Sequence, residues 1–135
     1  MSNIRYAIVE DIDFWLSLDK HISLDVLKKK MLDKECLVIL DENSYVGILR
    51  FNYLWDNTPF VNMLYIKNEY QQKGYGKELM LYFENEMKNI GYNEIMTSTQ
   101  IDEEGKYFYA KLGYKKIGSL FISNQAEELI LIKEL

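Results

Sequence analysis

The chain has 135 residues, of which 48% are hydrophobic and 27% charged, the length and composition of a single domain (residues 1–135) with one sizeable core. Sixteen basic against 21 acidic residues leave a net charge of −5, which argues against nucleic acid as a partner and suits cationic ones such as amines. A single cysteine, Cys36, rules out an internal disulfide, and no apolar run approaches the length of a membrane span. Glu10, Asp11 and Asp13 interrupt any signal-peptide layout, so a cytoplasmic domain with no membrane partner is expected.

In chain order, residues 4–9 lean apolar and read as a strand. Asp11 or its neighbour is placed to cap a helix running to Asp19, with Ile12, Trp15, Leu16 and Asp19 marking its turns. Ser23 is placed to cap a second helix ending near Leu32, with Leu24, Leu27 and Met31 on its inner face. Lys28, Lys29 and Lys30 fall on that helix and are ordinarily read as a solvated face. Residues 36–40 and 45–53 form a predicted hairpin about a turn at 41–44. Residues 54–59, with Trp55, Asp56 and Asn57, read as a loop that ends at Pro59. A buried strand over 60–66 follows, then a glycine-bearing turn and a long amphipathic helix. Leu79, Phe83, Met87 and Ile90 recur along that helix, and Gly91 ends it. A strand over 94–99, a helix over 102–112 stopped by Gly113, and antiparallel strands over 114–121 and 127–132 close the chain. This order mixes antiparallel strands with a βαβ crossover and predicts a mixed sheet with helices on both faces.

The turn before the long helix is the chemically pointed stretch. A helix N-terminus presents unpaired N–H groups and the positive end of its dipole, and glycines at its entry let an anion approach the backbone. Phosphate is the ligand that fits best. A P-loop would need Gly at Gln71 and Ser or Thr at Glu78, and a dinucleotide fingerprint would need Gly at Leu79. Neither is present. What stands there is Gln71, Gln72, Lys73, Gly74, Tyr75, Gly76, a Q-x-x-G-x-G run directly after a strand.

That run resembles the pyrophosphate motif, [RQ]-x-x-G-x-[GA], of the GNAT superfamily of acyl-CoA-dependent N-acetyltransferases. A second stretch, residues 102–114, looks like the superfamily's N-x-x-A-x-x-F-Y-x-K-x-G-[FY]. Phe108, Tyr109, Lys111, Gly113 and Tyr114 match, while Asp102 and Gly105 stand where Asn and Ala are usual. The element order agrees as well, and the resemblance covers essentially the whole chain. It implies an α/β (α+β) fold with a mixed, mostly antiparallel central sheet of six to seven strands flanked by helices. It also implies acetyl-CoA as co-substrate, no metal, and an amine acceptor that is a small molecule or a peptide, in a monomer or homodimer.

The resemblance assigns roles residue by residue. Leu64, Tyr65 and Ile66 would offer their backbone to the pantetheine arm, as an added strand pairs with an edge. Backbone N–H groups of Gln72, Lys73, Gly74, Tyr75, Gly76 and Lys77 would hold the pyrophosphate, supplemented by the side chains of Gln71 and Lys73. Tyr109 would act as general acid toward the leaving CoA thiolate, and a backbone N–H of the 64–66 strand would face the oxyanion. The general base is the departure: many relatives carry Glu where this chain has Asn62, which cannot take a proton. Asp56, Glu69 and a water chain held by Asn62 are the substitutes.

Trp55, Asp56, Asn57, Phe60, Thr97, Thr99 and Gln100 are candidates to line the acceptor site. His21, the only histidine, is read as a surface or capping residue. Cys36 lacks an evident histidine partner for nucleophilic work, and one His with one Cys makes no metal cluster. Asn62 also leaves open a non-catalytic reading, an acyl-CoA-binding or regulatory module.

Overall fold

A computed structural model describes residues 1–135. The strands are β1 (Ser2–Tyr6), β2 (Cys36–Asp41), β3 (Ser44–Leu54), β4 (Thr58–Ile66), β5 (Glu94–Gln100), β6 (Lys115–Leu120) and β7 (Glu128–Glu134). The helices are α1 (Ile12–Leu18), α2 (Leu24–Leu32), α3 (Tyr75–Ile90) and α4 (Gly105–Lys111), with short 3-10 turns at Val9–Asp11 and Asn68–Tyr70. The sheet runs in the order β1-β2-β3-β4-β5-β7-β6; β1–β2, β2–β3, β5–β7 and β7–β6 pair antiparallel, and β4 pairs parallel with β5. The expected mixed, mostly antiparallel sheet flanked by helices is therefore what forms. No helix is long and apolar enough to cross a membrane.

The chain forms two compact units. The first comprises Met1–Phe51 and Met63–Phe83. Its β2–β3 hairpin closes through Glu42 and Asn43 with φ of 52° and 68°, the left-handed pair a two-residue type I′ turn requires. Behind it Trp15, Leu27, Met31, Cys36, Val38 and Ile48 pack into one cluster. Leu27 has no exposed surface, so truncating it to Ala removes a full core side chain, a loss of about 2–5 kcal/mol. Phe51 and Phe83 meet with ring centroids 4.7 Å apart. Ser23 caps α2 as expected, its hydroxyl accepting the Val26 N–H at 3.3 Å.

The first strand ends earlier than the sequence pattern suggests. It stops at Tyr6 because the Ile8 N–H donates to the Asp11 carboxylate at 2.8 Å, which folds residues 8–11 into a 3-10 turn. The same bond means that Asp11 does not cap α1 with its side chain. Arg5 and the Tyr45 hydroxyl also donate to that carboxylate.

The second unit comprises Asn52–Asn62 and Glu84–Leu135. The predicted loop at 54–59 is shorter in the structure. Only residues 55–57 turn, and Pro59 lies inside β4, second from its start and just ahead of Phe60, the first residue paired with β5. Trp55 and Asp56 take the left-handed conformation with φ of 54° and 64°, and the Asn57 N–H closes the turn on the Leu54 carbonyl at 3.2 Å. β5 pairs with β7 from Glu94↔Glu134 to Gln100↔Glu128, and β7 carries β6 on its other side. The last helix starts at Gly105 rather than 102. Glu103 folds back on Gln100 through both backbone and side chain, holding residues 100–103 in a turn.

Candidate active site

In the first unit the strand end, the turn and the start of α3 are tied together locally. The Lys67 N–H donates to the Val46 carbonyl at 2.8 Å, and a 3-10 turn at Asn68–Tyr70 follows. Gln72 and Gly74 then take φ of 61° and 91°, and the Glu78 N–H bonds the Gly74 carbonyl at 3.0 Å to open α3. At Gly74 an L side chain would be strained, although nothing crowds the position of its Cβ. The sixteen residues of α3 align their peptide dipoles toward this turn, the arrangement that favours an anion.

The side chains around the turn are disposed in two ways. Gln71 turns its amide to the strand, donating to the Ile66 carbonyl at 2.8 Å and to Asn68 Oδ1 at 3.2 Å. It therefore fastens the strand end to the turn. Lys73 and Lys77 are exposed. The Tyr75 hydroxyl donates to Asp41, and that bond pushes its phenol up to about 12. Leu64 and Ile66 are half-buried and Tyr65 faces outward, its hydroxyl near Asn68. The backbone here runs hard against β3, since a Cβ on Gly47 would stand 2.7 Å from the Tyr65 carbonyl oxygen.

In the second unit Tyr109 lies on α4 and is 7% exposed. Its ring is bordered edge-on by Phe108 and Tyr114, with centroids 5.1 and 5.4 Å away. Its hydroxyl meets Thr97, itself buried. Thr97 in turn donates its hydroxyl to the Val61 carbonyl at 3.0 Å. Burial pushes the Tyr109 phenol up to about 12, the Thr97 hydroxyl pulling weakly the other way, so the phenol stays protonated across neutral pH. Val61 and Thr97 are also directly paired where β4 runs parallel to β5.

Asn62 is exposed, and its amide nitrogen donates to Asn52 Oδ1 at 2.8 Å. Of the substitute bases, Asp56 is exposed in the β3–β4 turn, and Glu69 is exposed and 3.5 Å from Lys67. Trp55, at 80% exposure, and Asn57 lie in the same turn as Asp56, whereas Thr97 and Thr99 are buried under α4. His21 is exposed, with its backbone N–H on Asp19. Cys36 has no exposed surface, and burial pushes its thiol up to about 12, which leaves it inert as a nucleophile.

Sequence reasoning missed one group, the buried carboxylate of Glu84 in α3 with its partners Tyr114 and Lys133. A signal was there to be read, because Glu84 falls four residues after Met80 and three before Met87, within the apolar stripe.

A mixed seven-stranded sheet with its βαβ crossover led by a glycine turn is the fold of acyl-CoA N-acyltransferases. The chain belongs to the acetyltransferase (GNAT) family, whose profile matches residues 6–114. Among solved structures it is similar to Ard1 from Thermoplasma volcanium, with a TM-score of 0.86 and 16% identity over 99% of this chain and 97% of that one. It is similar to the PaiA N-acetyltransferase from Thermoplasma acidophilum in complex with coenzyme A, with a TM-score of 0.84 and 20% identity over 100% and 99% of the two chains. A GNAT family acetyltransferase from Elizabethkingia anophelis with acetyl-CoA bound aligns with a TM-score of 0.77 and 18% identity over 99% and 98%. No curated protein sequence matches the chain.

Proposed function

We propose that residues 1–135 work as one N-acetyltransferase domain that moves an acetyl group from acetyl-CoA to a primary amine of a small molecule or peptide. The observation that carries this reading is the turn at 71–76. Left-handed Gln72 and Gly74 deliver the first N–H groups of a sixteen-residue helix to one place, which suits a pyrophosphate. The coenzyme A and acetyl-CoA held by the PaiA and Elizabethkingia proteins support the choice of ligand.

The roles follow from chemistry. The backbone of Leu64, Tyr65 and Ile66 takes the pantetheine amides, and N–H groups of Gln72 to Lys77 take the pyrophosphate, with the exposed Lys73 adding charge. The neutral amine attacks the thioester carbonyl, the C–N bond forms, and a backbone N–H of the 64–66 strand holds the oxyanion. The C–S bond then breaks and Tyr109 protonates the thiolate, a task its buried, protonated phenol suits. Asn62 cannot accept the ammonium proton, so Asp56, Glu69 or water held by Asn62 removes it. Asn62 also supports a second reading, an acyl-CoA-binding module without turnover.

Calorimetric titration with acetyl-CoA, combined with thiol release across an amine library, tests both readings. Micromolar binding with thiol release for one amine class is the expected result. Binding without release selects the module, and no binding removes the functional reading altogether.

A further inference from the structure

Glu84 is an acid 7% exposed in the middle of α3, and the proposed reaction makes no use of it. Its Oε2 accepts the Tyr114 hydroxyl at 2.8 Å and its Oε1 accepts the Lys133 ammonium at 2.8 Å. Tyr114, 5% exposed, presents its ring edge-on to Tyr109, the planes inclined at 69°. Lys133 lies along the same group, its Nζ 5.7 Å from the Tyr114 ring centroid. Its stem passes 3.6 Å from where a Cβ on Gly113 would stand. Three segments of the second unit, the part of α3 from Glu84 onward, the α4–β6 turn and β7, thus converge on one carboxylate.

A buried ion pair is a poor device for stability alone, because apolar residues of similar volume stabilise a core as well or better. What directional bonds add is orientation. A phenyl ring at 114 is held by packing alone, whereas a phenol tied to Glu84 has the far end of its axis fixed as well, and with it the position of its edge contact to Tyr109. From this we infer that Glu84 is a positioning residue for Tyr109, acting through Tyr114, with Lys133 neutralising its charge. The consequence for turnover rests on the reading of Tyr109 as general acid; the consequence for the Tyr109 ring does not.

The test uses the full chain with 13C-labelled tyrosine, the Tyr109 signals being assigned by their loss in Tyr109→Phe. Two variants are compared with the parent: Tyr114→Phe, which keeps the ring but unties it, and Glu84→Met/Lys133→Met, which keeps packing and leaves no unpaired charge. In both, the Tyr109 ring should flip faster and its signals shift. The kcat for thiol release should fall roughly 10- to 100-fold while the KM for acetyl-CoA stays unchanged. Unaltered Tyr109 ring signals in either folded variant overturn the proposal and leave Glu84 a structural tether. Altered ring signals with full turnover in Tyr109→Phe uphold the positioning and remove Tyr109 from the acid role instead.

Discussion

A Cβ built on Gly105 stands 2.6 Å from the hydroxyl oxygen of Thr99, closer than real Cβ contacts come. Gly105 opens α4, and this contact explains why glycine stands where the resembling motif has alanine. Gly105→Ala gains about 1 kcal/mol of helix propensity, yet overpacking against Thr99 costs about 1–3 kcal/mol. A net loss in urea denaturation is expected. With Thr99→Ala the oxygen is gone and, of the three nearest atoms, those left are Thr99 Cβ at 3.5 Å and Tyr109 Cε2 at 4.0 Å, both ordinary contacts, so the double variant should recover stability beyond the sum of the two single changes. A purely additive cycle would show that Thr99 is not what excludes the side chain.

Gly47 bears on the cofactor strand in the same way. An added Cβ would meet Ile66 Cδ1 at 2.5 Å, which can rotate away, and the Tyr65 carbonyl oxygen at 2.7 Å, which is backbone. Gly47→Ala must therefore displace the end of β4. A stability loss of about 1–3 kcal/mol is expected, together with weaker acetyl-CoA binding by calorimetry. Lost stability with unchanged affinity would remove Tyr65 and Ile66 from the proposed pantetheine contacts.

Arg50→Leu probes the buried Asp19, which has 1% exposure. Burial alone would raise the Asp19 carboxyl, but the Arg50 bond at 2.6 Å, with the His21 N–H and Trp15 indole, holds it below the usual range. Its contribution is therefore present above the ordinary aspartate pKa and lost as pH falls through the lowered one. Removing Arg50 leaves an uncompensated carboxylate and costs about 3–5 kcal/mol at pH 7. In the variant, protonation relieves that penalty. The gap between parent and variant in denaturation experiments should narrow from pH 7 to pH 4.

At the alkaline end the signs reverse. Burial pushes Cys36 and Tyr109 each up to about 12, above their values of 9.0 and 10.0 in the unfolded chain. Groups raised on folding contribute stability fully present below the unfolded pKa and lost as pH rises through the folded one. Stability should fall between about pH 9 and pH 12, and Tyr109→Phe should flatten the upper part of that decline. Because Tyr109 keeps its proton in this range, kcat should show no loss from its ionisation below about pH 11. At neutral pH Tyr109→Phe should lower kcat about 10²–10⁴-fold with coenzyme A affinity intact.

Most of the fold was legible because its signals are local. Gly91 and Gly113 end α3 and α4 with φ of 120° and 97°, and in each case the next residue's N–H reaches back to close a Schellman turn, Tyr92 to Met87 and Tyr114 to Tyr109. The boundaries that moved did so where a side chain captured backbone groups, Asp11 taking the Ile8 N–H and Glu103 the Gln100 N–H. Propensity and periodicity carry no record of such bonds.

What the amino-acid sequence determined alone is therefore the run from β4 through the glycine turn into α3, and the motif on α4. Both are written in residue types whose backbone preferences act over a few neighbours. The tertiary structure alone decided that β7 lies between β5 and β6, that Gln71 faces the strand end, and that Glu84 finds its two donors. Tyr114 and Lys133 lie 30 and 49 residues from Glu84, and pairings at such separations depend on how whole elements pack, which no short pattern encodes.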